Sequence, residues 1–191
     1  MKKTFLISVV LLINIRSIGF CQNINNRELI TIARLLFSSF QTNISTKDQE
    51  KIAALCNLKL SANKKTFILA DAPDAPYRVA VFLVDLNQDK IAEVFVLQES
   101  SYFGSDGVTF SLFTKDSKKE YHTNFSNNGY PMILSTKANN FADLLLGGSG
   151  FTQPIWRFNG KTYTFQKNVK DGSVKNSLDL ETACKQFLSK P

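Results

Sequence analysis

The sequence predicts an α+β fold, in which a mostly antiparallel sheet of about eight or nine short strands accompanies two N-terminal helices and one C-terminal helix. Apolar residues recur at helical spacing over residues 26–41 and again over 46–59. From Thr66 onward, short β-branched and aromatic runs alternate with turn signals at the roughly 8–12-residue intervals typical of antiparallel sheets. Ser177 then precedes a third stripe of apolar residues at helical spacing.

Residues 1–21 have the pattern of a cleavable secretory signal. A basic start at Met1-Lys2-Lys3 is followed by an apolar run over residues 5–13. Such a run suits a signal peptide and is well short of the ~20 residues that a transmembrane helix needs. We therefore predict an exported chain, periplasmic or secreted, with a single mature domain over 22–191 and no transmembrane helix.

The end of this signal allows two kinds of processing. Gly19 and Cys21 are small residues at the −3 and −1 positions, which predicts cleavage before Gln22. Alternatively, Cys21 is the acylated first residue of an outer-membrane lipoprotein, although Phe20 occupies a position where that signal prefers a small residue.

The charge of the mature chain gives no indication of nucleic-acid binding. Three of the 23 basic residues leave with the signal while all 16 acidic residues remain, so the formal net charge falls from +7 to +4. The basic residues that remain cluster only as pairs, such as Lys64-Lys65 and Lys118-Lys119. A modest dispersed charge of this kind favours solubility.

The helices are predicted from their capping residues and their apolar faces. Asn25 with Glu28 forms a capping box before the first helix, and Thr46 with Gln49 opens the second. Cys56 and Cys184 lie on the apolar faces of the second and the C-terminal helix. In an exported protein they are either a disulfide bridge or two separate buried thiols, and the sequence leaves both open.

The strands are predicted from nine apolar runs separated by turn residues. Asn159-Gly160 is the clearest hairpin turn, since glycine supplies the positive φ that tight turns require. Residues 167–176 are predicted to be a polar loop. The nine runs are 66–70, 78–86, 91–98, 108–114, 120–125, 131–135, 141–147, 154–158 and 161–166.

One loop between two apolar runs has the residue types and spacing of a Ca²⁺ site. Ca²⁺ takes six to eight oxygen ligands, and side chains at alternating positions of a tight loop converge on one point. Asp85, Asn87 and Asp89 occupy positions 1, 3 and 5 of such a loop. The carbonyl of Ile91 and the carboxylate of Glu93 would complete the ligand set.

The segment from Val79 to Leu97 resembles the strand–loop–strand calcium motif of FG-GAP/VCBS domains, the integrin-type repeat. An EF-hand is excluded because its twelfth position, a bidentate Glu, is Val96 here. The resemblance implies Ca²⁺ held at a β-turn, in exported proteins that mostly bind, adhere or scaffold. Gln88 and Lys90 stand where the motif has glycines. In the competing interpretation, the loop is a polar connection whose carboxylates cap backbone N–H groups and pair with Lys90.

No catalytic residue is predicted, because the single histidine, His122, belongs to no recognisable motif. The leading hypothesis is a non-enzymatic binding module for a protein or a cell-envelope component. Trp156, Phe158 and Tyr163 are either its contact surface or simply core. The alternatives are a small envelope hydrolase that uses the acidic residues of 85–93, and an inhibitor or immunity-type partner protein.

Overall fold

Two short helices begin the described part of the chain. The computed structural model describes residues 25–38, 43–103, 107–147, 152–170, 172–174 and 176–179. Helix α1 (Asn26–Leu36) starts where the Asn25 side chain accepts a hydrogen bond from the Arg27 N–H, at 3.1 Å. Helix α2 (Thr46–Cys56) is capped one residue earlier than predicted, by the Ser45 hydroxyl, which accepts from the Asp48 N–H at 3.2 Å.

Antiparallel strands make up most of the rest of the described chain, which confirms the predicted fold class at this level. The strands are β1 (Lys59–Leu60), β2 (Phe67–Ile68), β3 (Arg78–Val84), β4 (Glu93–Glu99), β5 (Val108–Lys115), β6 (Tyr121–Asn128), β7 (Tyr130–Ala138), β8 (Phe141–Gly147), β9 (Thr152–Phe158), β10 (Tyr163–Lys170) and β11 (Asn176–Asp179). β3, β4, β5 and β6 form a four-stranded sheet in sequence order, and a five-stranded sheet has the order β10-β9-β8-β7-β11. β1 and β2 form a small separate pair.

The four-stranded sheet is the middle of three layers, because it buries both of its faces. Phe95 on β4 belongs to a cluster that includes Leu144 of the five-stranded sheet. Its chain neighbours Val94 and Val96 point the other way and pack with Ile32 of α1 and other helical residues. Successive side chains of a strand alternate between faces, so one strand supplies both layers. This double burial explains why residues 94–97 of β4 are an unbroken apolar run and not an alternating one.

The chain passes from one sheet to the other at Gly129, between β6 and β7. Gly129 has φ +97°, and a Cβ at this position would collide with the carbonyl oxygen of Gly147. Only glycine satisfies both requirements without strain. The chain therefore turns the corner between the sheets within a single residue.

Four hairpin connections gather at one end of the packed sheets: residues 85–92, 116–120, 139–140 and 159–162. The Ala142 N–H donates to the Leu86 carbonyl at 3.1 Å, which ties the β3–β4 loop to the five-stranded sheet. Such loop ends, held by a rigid framework, are where binding residues are most often found in β-sheet domains.

Two local predictions near the C-terminus are wrong. Residues 167–170, predicted as loop, continue β10, because they pair with residues 152–155 of β9. Residues 176–179, predicted as the start of a helix capped by Ser177, form β11 and pair with β7. An unpaired sheet edge offers backbone partners that outweigh a local capping preference. The rest of the predicted C-terminal helix lies outside the described residues.

None of the described helices has the length and apolar character to cross a membrane.

Candidate functional site

The β3–β4 loop is folded upon its own side chains. One carboxylate oxygen of Asp85 accepts from the Asp89 N–H at 3.1 Å and the other accepts from the Lys90 N–H at 2.9 Å. The side-chain oxygen Oδ1 of Asn87 also accepts from the Asp89 N–H, at 2.9 Å, and Asp89 Oδ1 accepts from the Ile91 N–H at 2.7 Å. These side chains provide acceptors for backbone N–H groups of the loop, which have no partner strand to bond with.

Two residues of this loop adopt the left-handed backbone conformation, Gln88 with φ 66° and Lys90 with φ 69°. Each costs roughly 1–2 kcal/mol for a residue with a side chain. They are the two positions at which the calcium motif has glycines. The loop thus takes the conformation that those glycines would favour, and the capping hydrogen bonds offset its cost.

Glu93 lies behind the loop. Its side chain is 2 % exposed, and Oε2 accepts a hydrogen bond from the Leu86 N–H at 2.7 Å. Burial raises the pKa of Glu93 to about 7, and the nearby carboxylates of Asp89 and Asp85 act in the same direction. A buried carboxyl with such a pKa is readily protonated near neutral pH. The hydrogen bond from the Leu86 N–H thus connects Glu93 to the backbone of the loop.

The first three predicted ligands lie close together. The Asn87 amide donates to Asp89 Oδ2 at 3.0 Å, and Asn87 and Asp85 both bind the same Asp89 N–H. Within the described ranges, no group of three or more His, Cys, Asp or Glu side chains has the arrangement to hold a metal ion. The chemistry of the oxygen donors suits Ca²⁺, but their present arrangement gives only part of the shell that Ca²⁺ requires.

Lys90 does not form the ion pair that the competing interpretation requires. Its ammonium group forms no salt bridge with any residue that the structure describes. The capping half of that interpretation is present, since Asp85, Asn87 and Asp89 all accept from backbone N–H groups. Lys90 instead lines a groove beside the loop.

This groove, which we name the loop–helix groove, lies between the start of α2 and the β3–β4 loop and has a volume of about 440 Å³. Volumes of about 300–1,000 Å³ are typical of small-ligand sites. The groove combines charged, aliphatic and aromatic side chains. It is lined by Asn43, Ile44, Asp48, Leu83, Lys90, Ile91, Ala92, Lys115 and Tyr121.

The wall opposite the loop is held by contacts between α2 and the sheet. Lys115 Nζ lies 2.9 Å from Asp48 Oδ2 and 4.9 Å from the centroid of the Tyr121 ring. The Tyr121 hydroxyl donates to the Ala92 carbonyl at 2.7 Å, and burial raises the pKa of this phenol to about 12. Asp48 and Lys115 are 67 positions apart, so no local sequence signal predicts this wall.

The predicted aromatic contact surface divides into core and surface. Phe158 and Tyr163 are only 8 % and 3 % exposed and pack between the sheets, whereas Trp156 is half-buried. The exposed aromatic of this hairpin is Phe165, which is 54 % exposed and contacts Trp156 edge to face, with the ring centroids 6.2 Å apart. Period-2 alternation places Phe165 on the same face of the sheet as Tyr163. Phe165 is nevertheless exposed, because it lies on β10 at the edge of the sheet.

Two other residues singled out in the sequence have ordinary surroundings. His122 is half-buried, with Nε2 3.5 Å from the Thr114 hydroxyl. Cys56 packs against the helical cluster and forms no disulfide with any residue that the structure describes, and burial raises the pKa of its thiol to about 12. Cys184 and Cys21 lie outside the described residues, so the disulfide and the lipidation stay predictions.

Comparison of the chain with protein-family models, with curated proteins and with solved structures finds no match. The resemblance of the segment 79–97 to the FG-GAP/VCBS calcium motif therefore stays a prediction that rests on its own residues.

Proposed function

We propose that this protein is an exported, non-enzymatic binding module and that Ca²⁺ stabilises its β3–β4 loop. One observation carries the binding function: an ordered loop and the start of α2 enclose a groove of about 440 Å³ at the end of the sheets where the hairpin connections gather. A preformed concave site on a rigid framework costs little conformational entropy when a ligand binds.

The proposed Ca²⁺ would be held by the side chains of Asp85, Asn87 and Asp89 and the carbonyl of Ile91, with water completing the shell. Glu93 joins only by giving up its hydrogen bond to the Leu86 N–H or by using its other oxygen. We therefore expect weak binding, suited to the calcium-rich environment outside the cytoplasm. The ion would hold in place the loop that forms one wall of the loop–helix groove.

The calcium proposal is tested by thermal unfolding of the mature chain in millimolar Ca²⁺ and in chelator, with Mg²⁺ as a control ion. At a hundredfold excess over Kd, Ca²⁺ should stabilise the fold by about 2.7 kcal/mol. Asp85→Ala should abolish this shift. Asp116→Ala is the matched control, because Asp116 also caps backbone N–H groups of a hairpin turn but is not a proposed ligand. An unshifted wild type, or an equal shift in Asp85→Ala, contradicts the proposal.

The hydrolase hypothesis requires two carboxylates that face each other across a cleft. The loop–helix groove presents one carboxylate among its described lining residues, Asp48, which already pairs with Lys115. The inhibitor or immunity-type hypothesis is a special case of binding, and we include it in the proposed function.

A further inference from the structure

We propose that the loop–helix groove binds an acidic segment of a partner polypeptide, in which one carboxylate lies next to an aliphatic side chain. This inference rests on the proposed binding function and names the ligand class. It is carried by the charges and the exposed apolar surface of the groove, independently of calcium.

Among the described residues that line the groove, the positive charges exceed the negative charges by one. Lys115 and Asp48 neutralise each other across 2.9 Å, whereas the Lys90 ammonium forms no ion pair within the described part of the chain. A lysine ammonium is a compact cation that binds one carboxylate well. The groove therefore complements a ligand with a single negative charge, and Asp48 disfavours a more highly charged anion such as a phosphate.

The groove also presents aliphatic surface directly beside this cation. Ile91 follows Lys90 in the chain and is 37 % exposed, which is high for a large aliphatic residue next to a strand. Leu83 and Ile44 are half-buried in the same lining. Apolar surface beside a free charge favours a ligand that offers an aliphatic group and a carboxylate within the span of two residues.

Hydrogen bonds hold the backbone from which the two side chains project. Lys90 and Ile91 are held by hydrogen bonds from their N–H groups to Asp85 and Asp89, at 2.9 and 2.7 Å. The Tyr121 hydroxyl bond to the Ala92 carbonyl ties the facing wall to the end of the loop. A groove held in this way favours ligands whose carboxylate and aliphatic group are separated by a matching distance. A peptide can meet this requirement, whereas an isolated ion cannot.

The test is an NMR titration of the ¹⁵N-labelled mature chain with the tetrapeptide acetyl-Gly-Leu-Asp-Gly-amide. The matched neutral probe replaces its Asp with Asn. We expect saturable shifts of the backbone amides of residues 43–48 and 90–92, with the acidic peptide bound at least about fivefold more tightly than the neutral one. Lys90→Gln should remove this preference.

Lys119→Gln is the matched control variant. Lys119 is also an exposed lysine in the left-handed conformation, φ 61°, on the neighbouring hairpin, and it does not line the groove. It should keep the wild-type affinity. Equal affinity for the two peptides, an unchanged preference in Lys90→Gln, or no saturable shift up to about 10 mM peptide overturns the proposal.

The titration is run in chelator and in Ca²⁺, so that the two proposals fail separately. Peptide binding in chelator without a calcium-dependent melting shift would leave the groove assignment and remove the calcium proposal. A calcium-dependent melting shift without peptide binding would do the reverse.

Discussion

The β3–β4 loop and the β5–β6 turn use the same capping device at the same end of the molecule. Asp85 accepts two backbone N–H bonds in the first, and Asp116 Oδ1 accepts from the Lys118 and Glu120 N–H groups in the second, at 2.8 and 3.0 Å. Each connection also contains left-handed non-glycine residues. Aspartate capping alone is therefore a general way of closing hairpins in this chain.

The difference between them lies in what surrounds the caps. Residues 116–120 are all exposed, and a single side chain does the capping. The β3–β4 loop adds the side chains of Asn87 and Asp89, and it has a buried carboxyl, Glu93, behind it and a groove beside it. The surroundings of the β3–β4 loop therefore indicate a binding role. The β5–β6 turn is the control for this inference, because its aspartate capping occurs among exposed residues, none of which lines the loop–helix groove.

The largest expected difference concerns the glutamates at the C-terminal ends of the two connections. Glu93→Ala leaves the buried Leu86 N–H without its acceptor, so we expect a loss of about 2 kcal/mol in the free energy of unfolding at pH 5. Glu120→Ala, on an exposed side chain, should change it by less than about 0.5 kcal/mol. Urea unfolding of the two variants measures both values. Similar losses in the two would show that Glu93 is no more integrated than a surface residue.

The next difference is one of pH dependence, measured in chelator. Burial raises the pKa of Glu93 from 4.5 to about 7, so its contribution to stability is complete below about pH 4.5 and is lost as the pH rises through 7. Glu93→Gln should remove this decline. The pKa of Asp116 is lowered, chiefly by the Glu120 N–H, so its contribution is present above 3.8 and is lost on further acidification. The measurement is the free energy of unfolding against pH for the wild type, Glu93→Gln and Asp116→Asn. The difference between the wild type and each variant should change with pH in opposite directions for the two variants. Parallel difference curves would refute this contrast.

The smallest expected effect comes from the left-handed lysines. Lys90→Gly and Lys119→Gly each relieve backbone strain in the folded state, but glycine also gives the unfolded chain more conformational entropy. We therefore expect a net gain of about 0.5 kcal/mol in the free energy of unfolding at both positions. Thermal unfolding detects this gain. Only Lys90→Gly should also weaken binding of the acidic peptide, because only Lys90 lines the groove. A loss of stability on either substitution would mean that the lysine side chain itself stabilises its turn.

Local pattern predicted much of the framework. Helical spacing located α1 and α2, and the Asn25 cap was found from sequence because a cap is a contact between near neighbours in the chain. The clustering of Asp85, Asn87 and Asp89 was likewise accessible, since their hydrogen bonds span at most five residues. Strand β11 was missed because its pairing depends on β7, which is distant in the chain.

The sequence by itself determined the mostly antiparallel class, the two N-terminal helices and the polar composition of the β3–β4 loop, because these depend on period and on short-range hydrogen bonds. Only the tertiary structure decided that Glu93 turns inward, that Phe158 and Tyr163 are core, and that Lys90 and Lys115 share a groove. These outcomes depend on which distant surfaces meet. The pairing of Asp48 with Lys115, which builds one wall of the groove, is set by packing of a helix on a sheet and leaves no mark in either local sequence.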